Sequence, residues 1–306
     1  MVSSPSQPLH PPALRAPEPG TRTWLSMGTG LSAWVPCVEA QEAVIAEMNR
    51  IEALASTWRA DTPWSRLNAA RGESVPLDSE SLELLAKCQN WAIRTAGAFD
   101  PVLAALVRAH GLRGARREPA AETLTLARAA SGSPLLVLDP AQGKARLAHA
   151  QAGVEEGGFL KGYALDRAAA QARKKGAGHG LLDFGGQLLA WGPPRQVAIS
   201  RPQDRQRESI RLWLHEASLA TTSCTERGRH ILDPRSGLLC EAWGSVSVIA
   251  SSAFDADVLA TALYVMGPEA GCAWADQQRI MAVFQSSTQP PRCTRAFTAL
   301  HPTFLP

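Results

Sequence analysis

The run QVAIS (Gln196–Ser200), SIRLWLH (Ser209–His215), SLATTS (Ser218–Ser223) and SVSVIAS (Ser245–Ser251) decides the fold class of this chain. Apolar and polar residues alternate in each segment, and a period of two marks half-buried antiparallel strands. Directly after the last of them comes AFDADVLATALYVMG (Ala253–Gly267), whose pattern is helical. Helices and hairpins therefore mix without the strict alternation of βαβ units. The spacing predicts an α+β fold, antiparallel sheets flanked by helices.

The flanking chain agrees. Between Glu39 and Ala55 the residues Val44, Met48, Ile51 and Ala55 recur at three- and four-residue steps, the stripe of an amphipathic helix. A second helix is expected over Ser79–Thr95, with Leu82, Leu85 and Ala92 inward and Asp78 or Ser79 as its cap. GAFDPVLAALVRAHG (Gly97–Gly111) predicts a third, opened by Asp100 as cap and Pro101 at the first helical position. Residues 113–134 are basic and alanine-rich and read as a surface excursion. LLVLD and ARLA around PAQGK (140–144) read as a hairpin. Further on, a helix is expected over Tyr163–Lys175, a strand at LLDF (181–184), helices over Ala256–Met266 and Glu269–Ala275, and a last strand at RIMAVFQ (279–285). Residues 1–22, rich in Pro and Ser, predict a disordered head. The expected organisation is one domain over 23–286, followed by an irregular tail over 287–306.

Composition narrows the function. A net charge of +3 on 306 residues, with Lys and Arg scattered apart from clusters such as Arg113–Arg117 and Arg173–Lys175, points to neither nucleic acid nor a membrane surface. Six cysteines without C-x-x-C spacing exclude a zinc ribbon or a thioredoxin-type pair. No run is long and apolar enough to span a membrane, and the N-terminus lacks a secretion-signal pattern. The expected compartment is the cytoplasm; a misassigned start codon would open the periplasmic side.

Three segments and one helix carry residues with chemistry. Asp257 and Thr261 stand four apart, so their oxygens share one helix face and suit a hard cation such as Mg²⁺; equally, Asp257 could cap its own first turn and Thr261 could bond a carbonyl one turn back. In VEEGGFLKGYALDR (Val154–Arg167) two glycines allow close backbone approach, Lys161 brings positive charge, and a helix start offers amides to a phosphate. The same segment also reads as a tight turn before an ordinary helix. RHILDPRSG (Arg229–Gly237) places His230, a general base near neutral pH or a structural residue, beside an Asp-Pro turn. DFGGQLLAWG (Asp183–Gly192) fits either a glycine-lined wall of a planar-ligand pocket or a β-turn.

Taken in order, MGTG at Met27, STWRADTPWSRLN from Ser56, GAFDP from Gly97, EEGGFLKGYALDR, DFGG, ATTS, HILDPRSG and ADVLATAL make an arrangement that resembles the ApbE family of FAD:protein FMN transferases, over roughly Met27 to Phe284. The resemblance implies an ApbE-like, T-fold-like architecture. It also implies an enzyme that takes FAD as substrate, joins the FMN phosphate to a Thr or Ser hydroxyl of an acceptor protein, commonly an electron-transfer protein, and releases AMP.

By family correspondence, Mg²⁺ would be held by Asp257, Thr261 and the main-chain carbonyl of Gly158, with the diphosphate near Lys161. Flavin binding would fall to Met27, Trp58, Ala98, Phe99, Asp100, Glu155 and Leu232, and His230 would be the base for the incoming hydroxyl. Three positions depart from the family pattern: Glu155 stands for an Asp, Leu160 for a small residue and Trp58 for a frequent tyrosine. Two other outcomes remain on this pocket, a FAD pyrophosphatase yielding FMN and AMP, and a flavin-binding protein without turnover.

Overall fold

The computed structural model describes residues 21–224 and 228–305. In chain order the elements are β1 (Arg22–Ser26), β2 (Thr29–Trp34), α1 (Val38–Ala55), α2 (Pro63–Ala69), β3 (Val75–Pro76), α3 (Ser79–Arg94), α4 (Ala104–Ala109), α5 (Ala121–Ala129), β4 (Leu136–Asp139) and β5 (Lys144–Leu147). They continue with α6 (Leu160–Lys174), β6 (Gly180–Phe184), β7 (Gln187–Trp191), β8 (Arg195–Arg201), β9 (Asp204–Leu214), β10 (Ala217–Ser223), β11 (Ser245–Ala250), α7 (Ala253–Met266), α8 (Pro268–Gln277), β12 (Met281–Gln285), β13 (Arg292–Cys293), α9 (Arg295–Thr298) and β14 (Thr303–Phe304).

An eight-stranded sheet runs β1-β2-β6-β7-β10-β11-β12-β13, every neighbouring pair antiparallel. Helices α1, α6 and α7 lie on one face, and their apolar stripes join Leu189, Trp191, Ala220, Val246, Val248 and Phe284 of the sheet in the main core. On the opposite face the small sheet β14-β9-β8 packs Val197, Ile199, Ile210, Leu212 and Leu214 against Leu188, Ala217, Leu219, Ile249 and Val283. A third sheet, β3-β5-β4, sits beside α2 and α3. The α+β class with antiparallel sheets flanked by helices is therefore borne out.

This double covering corrects one expectation. The period of two describes β8 and β9, which bury one face, but β7 is buried at all five positions and β11 at five of six. In the large sheet even the small and polar alternates Ser245 and Ser247 are buried, because the small sheet covers what would otherwise be the solvent face.

Other boundaries shift for local reasons. Asp100 and Pro101 open no helix: α4 starts at Ala104, and the Asp100 carboxylate instead accepts the N–H groups of Val102 (2.8 Å) and Ser133 (2.7 Å), pinning a loop. Residues 113–134 include α5, so the excursion has a helix of its own. Helix α7 begins three residues earlier than expected because the Ser252 hydroxyl caps it by accepting the Asp255 amide (3.2 Å). Likewise α6 begins at Leu160, which places Lys161 inside its first turn.

The expected irregular tail carries β13, α9 and β14: β14 pairs with β9, and Phe297 is fully buried in the core between the sheets. At the other end, β1 already includes Arg22, and residues 1–20 of the expected disordered head lie outside the described residues. Among the described residues no helix is long and apolar enough to cross a membrane.

Candidate active site

Helices α6 and α7 cross at a point where side chains have been reduced to nothing. A Cβ on Gly162 would collide with the Ala253 carbonyl and stand 2.9 Å from Asp257 Cβ, so only glycine allows this approach. In return the Gly162 N–H, one of the first-turn amides that α6 cannot satisfy itself, donates to Asp257 Oδ2 at 3.1 Å. Asp257 thus caps a neighbouring helix rather than its own.

One turn further along α7, Thr261 faces the glycine turn before α6, and a Cβ on Gly158 would come 3.3 Å from Thr261 Oγ1. The two far-separated segments singled out in the sequence meet here. Burial pushes the Asp257 carboxyl above its ordinary value, and the Lys161 charge and the Gly162 amide pull it back.

The crossing forms part of the wall of a cavity of about 1140 Å³, a volume beyond the roughly 300–1,000 Å³ of drug-sized ligand sites. Gly158, Lys161, Asp257 and Thr261 reach it, and so do Trp58, Glu155, His230 and Leu232. Asp183 and the positive-φ pair Gly185 and Gly186 line it as well, so DFGG is at once the β6–β7 turn and a pocket wall. The Asp183 carboxylate accepts the Gly186 N–H at 2.8 Å; burial raises its pKa while that bond, Arg205 and Lys161 oppose the rise. Acidic and basic groups therefore alternate around one end of the cavity, a field suited to a charged phosphate chain beside cations.

His230 is half-buried on this wall, its Nδ1 2.8 Å from the Gly228 carbonyl. In a neutral imidazole that contact assigns the proton to Nδ1, as donor to the carbonyl, and the lone pair to Nε2.

Four expected flavin-binding residues are not on the wall. Ala98 and Phe99 are buried in the main core, where Phe99 meets the Phe159 ring edge-on at 6.0 Å. Asp100 pins its loop as described, and Met27 sits in the β1–β2 turn at φ 45°, packed against the same core. Of the four, Phe99 backs Gly158, and the neighbouring Pro101 carbonyl accepts the Glu155 amide at 2.8 Å.

Sequence reasoning missed Arg113, which gathers this end of the cavity. Its guanidinium donates to both Glu155 oxygens (2.8 and 2.7 Å), to Glu156 (3.2 Å), and to the carbonyl (2.9 Å) and hydroxyl of Thr57. It also lies 4.4 Å over the Trp58 ring. Burial raises the Glu155 pKa and Arg113 holds it down. The available signal was the second acid of the Glu155-Glu156 pair, since two adjacent partly buried carboxylates need a cation between them.

A model of the ApbE family matches residues 27–284. The chain belongs to the ApbE family. It is 26% identical over 263 residues to the FAD:protein FMN transferase of Haemophilus influenzae, covering 78% of this chain and 75% of that one. It is 28% identical over 272 residues to the protein of the same name from Treponema pallidum, covering 76% and 73%. Among solved structures, the apo form of the Pseudomonas stutzeri flavinyl transferase ApbE superposes with a TM-score of 0.83 at 29% identity, over 92% of this chain and 96% of that one. The ApbE protein of Thermotoga maritima shares the fold, with a TM-score of 0.85 at 24% identity.

Proposed function

We propose that this chain is a FAD:protein FMN transferase that moves the FMN half of FAD onto a Thr or Ser hydroxyl of an acceptor protein and releases AMP. The observation that carries the reading is the convergence of Lys161, Asp257, Thr261 and the Gly158 backbone on the wall of one cavity, which Trp58 and Glu155 also line. Relatives bearing that activity in their names match over about three quarters of both chains.

The donor set fits a hard cation. Asp257 offers a carboxylate and Thr261 a hydroxyl beside the Gly158 main chain, an all-oxygen set that suits Mg²⁺ completed by substrate phosphates and water. Among the described residues no group of three or more His, Cys, Asp and Glu side chains is placed to hold a metal ion, so the set rests on one carboxylate, one hydroxyl and the main chain. When bound, Mg²⁺ would neutralise charge on the diphosphate oxygens.

The protein's own groups do the rest. Lys161 adds a positive charge beside the diphosphate, where phosphoryl transfer gathers negative charge. Trp58, braced by Arg113, presents an indole face to a planar ring. His230 Nε2 accepts the proton of the incoming hydroxyl as its oxygen bonds to the FMN phosphorus. The bond from that phosphorus to the bridging oxygen then breaks, and the oxygen leaves on AMP.

The test is incubation with FAD, Mg²⁺ and a candidate electron-transfer acceptor, following AMP by chromatography and acceptor-bound flavin fluorescence on a denaturing gel. Fluorescent acceptor supports transfer. AMP without labelled acceptor, or intact FAD, replaces this reading by hydrolysis or by binding alone. Asp257→Ala should abolish turnover with the fold intact, and unchanged activity in that variant or in chelator would refute the metal assignment.

A further inference from the structure

Nine consecutive residues, Pro194 to Pro202, line the cavity. Side chains of a strand alternate between its two faces, so a cavity lying over one face meets every second residue. β9 behaves partly that way, contributing Arg211 and Trp213 but not Leu212 or Leu214. β8 contributes all of its residues, so the cavity runs alongside its edge. That edge is unpaired in the sheet: the order is β14-β9-β8, and among the described strands β8 bonds with β9 alone.

Exposed edges are blunted by charge, by Pro or by a covering element; between its ends the segment Gln196–Ile199 carries neither charge nor proline, and among the described residues no strand covers it. Pro194 and Pro202 bracket the segment, and the register irregularity after Ile199 ends its regular part. At its end the Ile199 carbonyl accepts the Ser209 hydroxyl of β9, and beyond it the Ser200 carbonyl accepts the Gln285 amide, which leaves a usable length of about three residues. Around it the 195–211 segment holds five arginines against Asp204 and Glu208.

We propose that the acceptor binds as an extended segment that adds a strand to the edge of β8 and thereby carries its Thr or Ser hydroxyl into the cavity. This rests on the transferase reading and names how its protein substrate is recognised. Main-chain hydrogen bonds along Gln196–Ala198 supply register. The surrounding positive field favours acidic residues flanking the hydroxyl. The edge is short because it has to hold a short stretch of chain around one reacting side chain, not a whole domain.

The experiment uses the full-length protein with FAD, Mg²⁺ and a pool of peptides of about nine residues, a central Thr and randomised flanks. Labelled peptides are identified by mass spectrometry. The best is then remade with single backbone N-methyl groups at each position, which removes one N–H at a time without altering the enzyme. Strand addition predicts a period of two: methylation at alternate positions slows labelling about three- to tenfold, the worth of one hydrogen bond, and the intervening positions change it less. The labelled pool should be enriched in Asp and Glu.

A flat methylation profile overturns the proposal. So does an unlabelled pool under conditions in which a folded acceptor protein is labelled, because recognition then needs more than a strand. Absence of any labelled acceptor, protein or peptide, with or without AMP, instead defeats the transferase reading itself.

Discussion

Asp166 on α6 accepts the main-chain N–H of Ala253, the first residue of α7, at 2.7 Å. The same carboxylate takes the Phe254 N–H at 3.0 Å and the Ser252 hydroxyl at 2.8 Å, so one half-buried acid satisfies a helix start on a different element. Asp257 returns the arrangement by accepting the Gly162 amide of α6. The two helices carrying Lys161, Asp257 and Thr261 are thus each capped by the other.

Asp166→Ala should leave three donors without their acceptor and cost roughly 1–3 kcal/mol in unfolding free energy, measured by urea titration. Because the residue touches only the helix start, the flavin compartment should survive while turnover drops. FAD affinity falling in step with turnover would show that Asp166 supports the whole cavity, not the register of α7.

The two glycines at the helix crossing should behave differently when replaced by alanine. Gly162→Ala forces a methyl into the Ala253 carbonyl, so α6 and α7 must separate, and a loss of about 3 kcal/mol or more is expected in thermal or urea unfolding. Gly158→Ala meets Thr261 Oγ1 at 3.3 Å, a contact the threonine can relieve by a shift of a few tenths of an ångström. It should fold nearly as well as wild type, within about 1 kcal/mol, yet lose most AMP release because the shifted hydroxyl belongs to the proposed metal site.

How much of this was legible follows from which interactions are local. The Asp257–Thr261 face and the GGFLKG turn are within-helix or within-turn patterns, and the structure brings them together as one site. The start of α4 was misplaced because Asp-Pro is a helix-start signal only when nothing else wants the carboxylate; here the Ser133 amide, thirty-three residues away, takes one of its oxygens. The burial of both faces of β7 and β11 and the ordered tail around Phe297 come from the same remote event, the small sheet folding back over the large one. Arg113 was hidden for a related reason: its partners lie at positions 57, 155 and 156, and a cluster of arginines looks like a solvated surface until those partners are placed.

Arg113 offers a double-mutant test. Arg113→Ala leaves Glu155 and Glu156 side by side without their shared cation and unbraces Trp58, with an expected cost of about 1–3 kcal/mol after allowance for the partial exposure of the pair. FAD binding, followed by quenching of flavin fluorescence, should weaken as well. Arg113→Ala with Glu155→Gln should recover part of the stability, since one stranded charge is gone. Arg113→Lys should recover little, because an ammonium cannot replace the fork that reaches both acids and the Thr57 carbonyl at once.

One contribution to the pH dependence of stability comes from a cluster that does not line the cavity. Arg50 donates to Glu47 (2.7 Å) and to Glu80 (2.7 Å), Arg167 approaches both, and the Tyr163 hydroxyl donates to Glu80 at 2.7 Å. The Arg50 hydrogen bonds, working against burial, hold both carboxyls below their ordinary value. A depressed carboxyl stabilises the fold fully above its unfolded pKa, and that contribution disappears as the pH falls through the folded value. Other acids, the buried Asp100 and the half-buried Asp166 among them, are shifted upward by loss of solvent and act in the opposite sense, so the whole-protein profile mixes the two. The difference between wild type and Glu47→Gln isolates the first kind: it should be full near pH 6 and shrink as the pH falls below the ordinary carboxylate range, read from urea midpoints at each pH. A difference that stays constant over that range would mean that Glu47 contributes through packing and hydrogen-bond shape rather than through its charge.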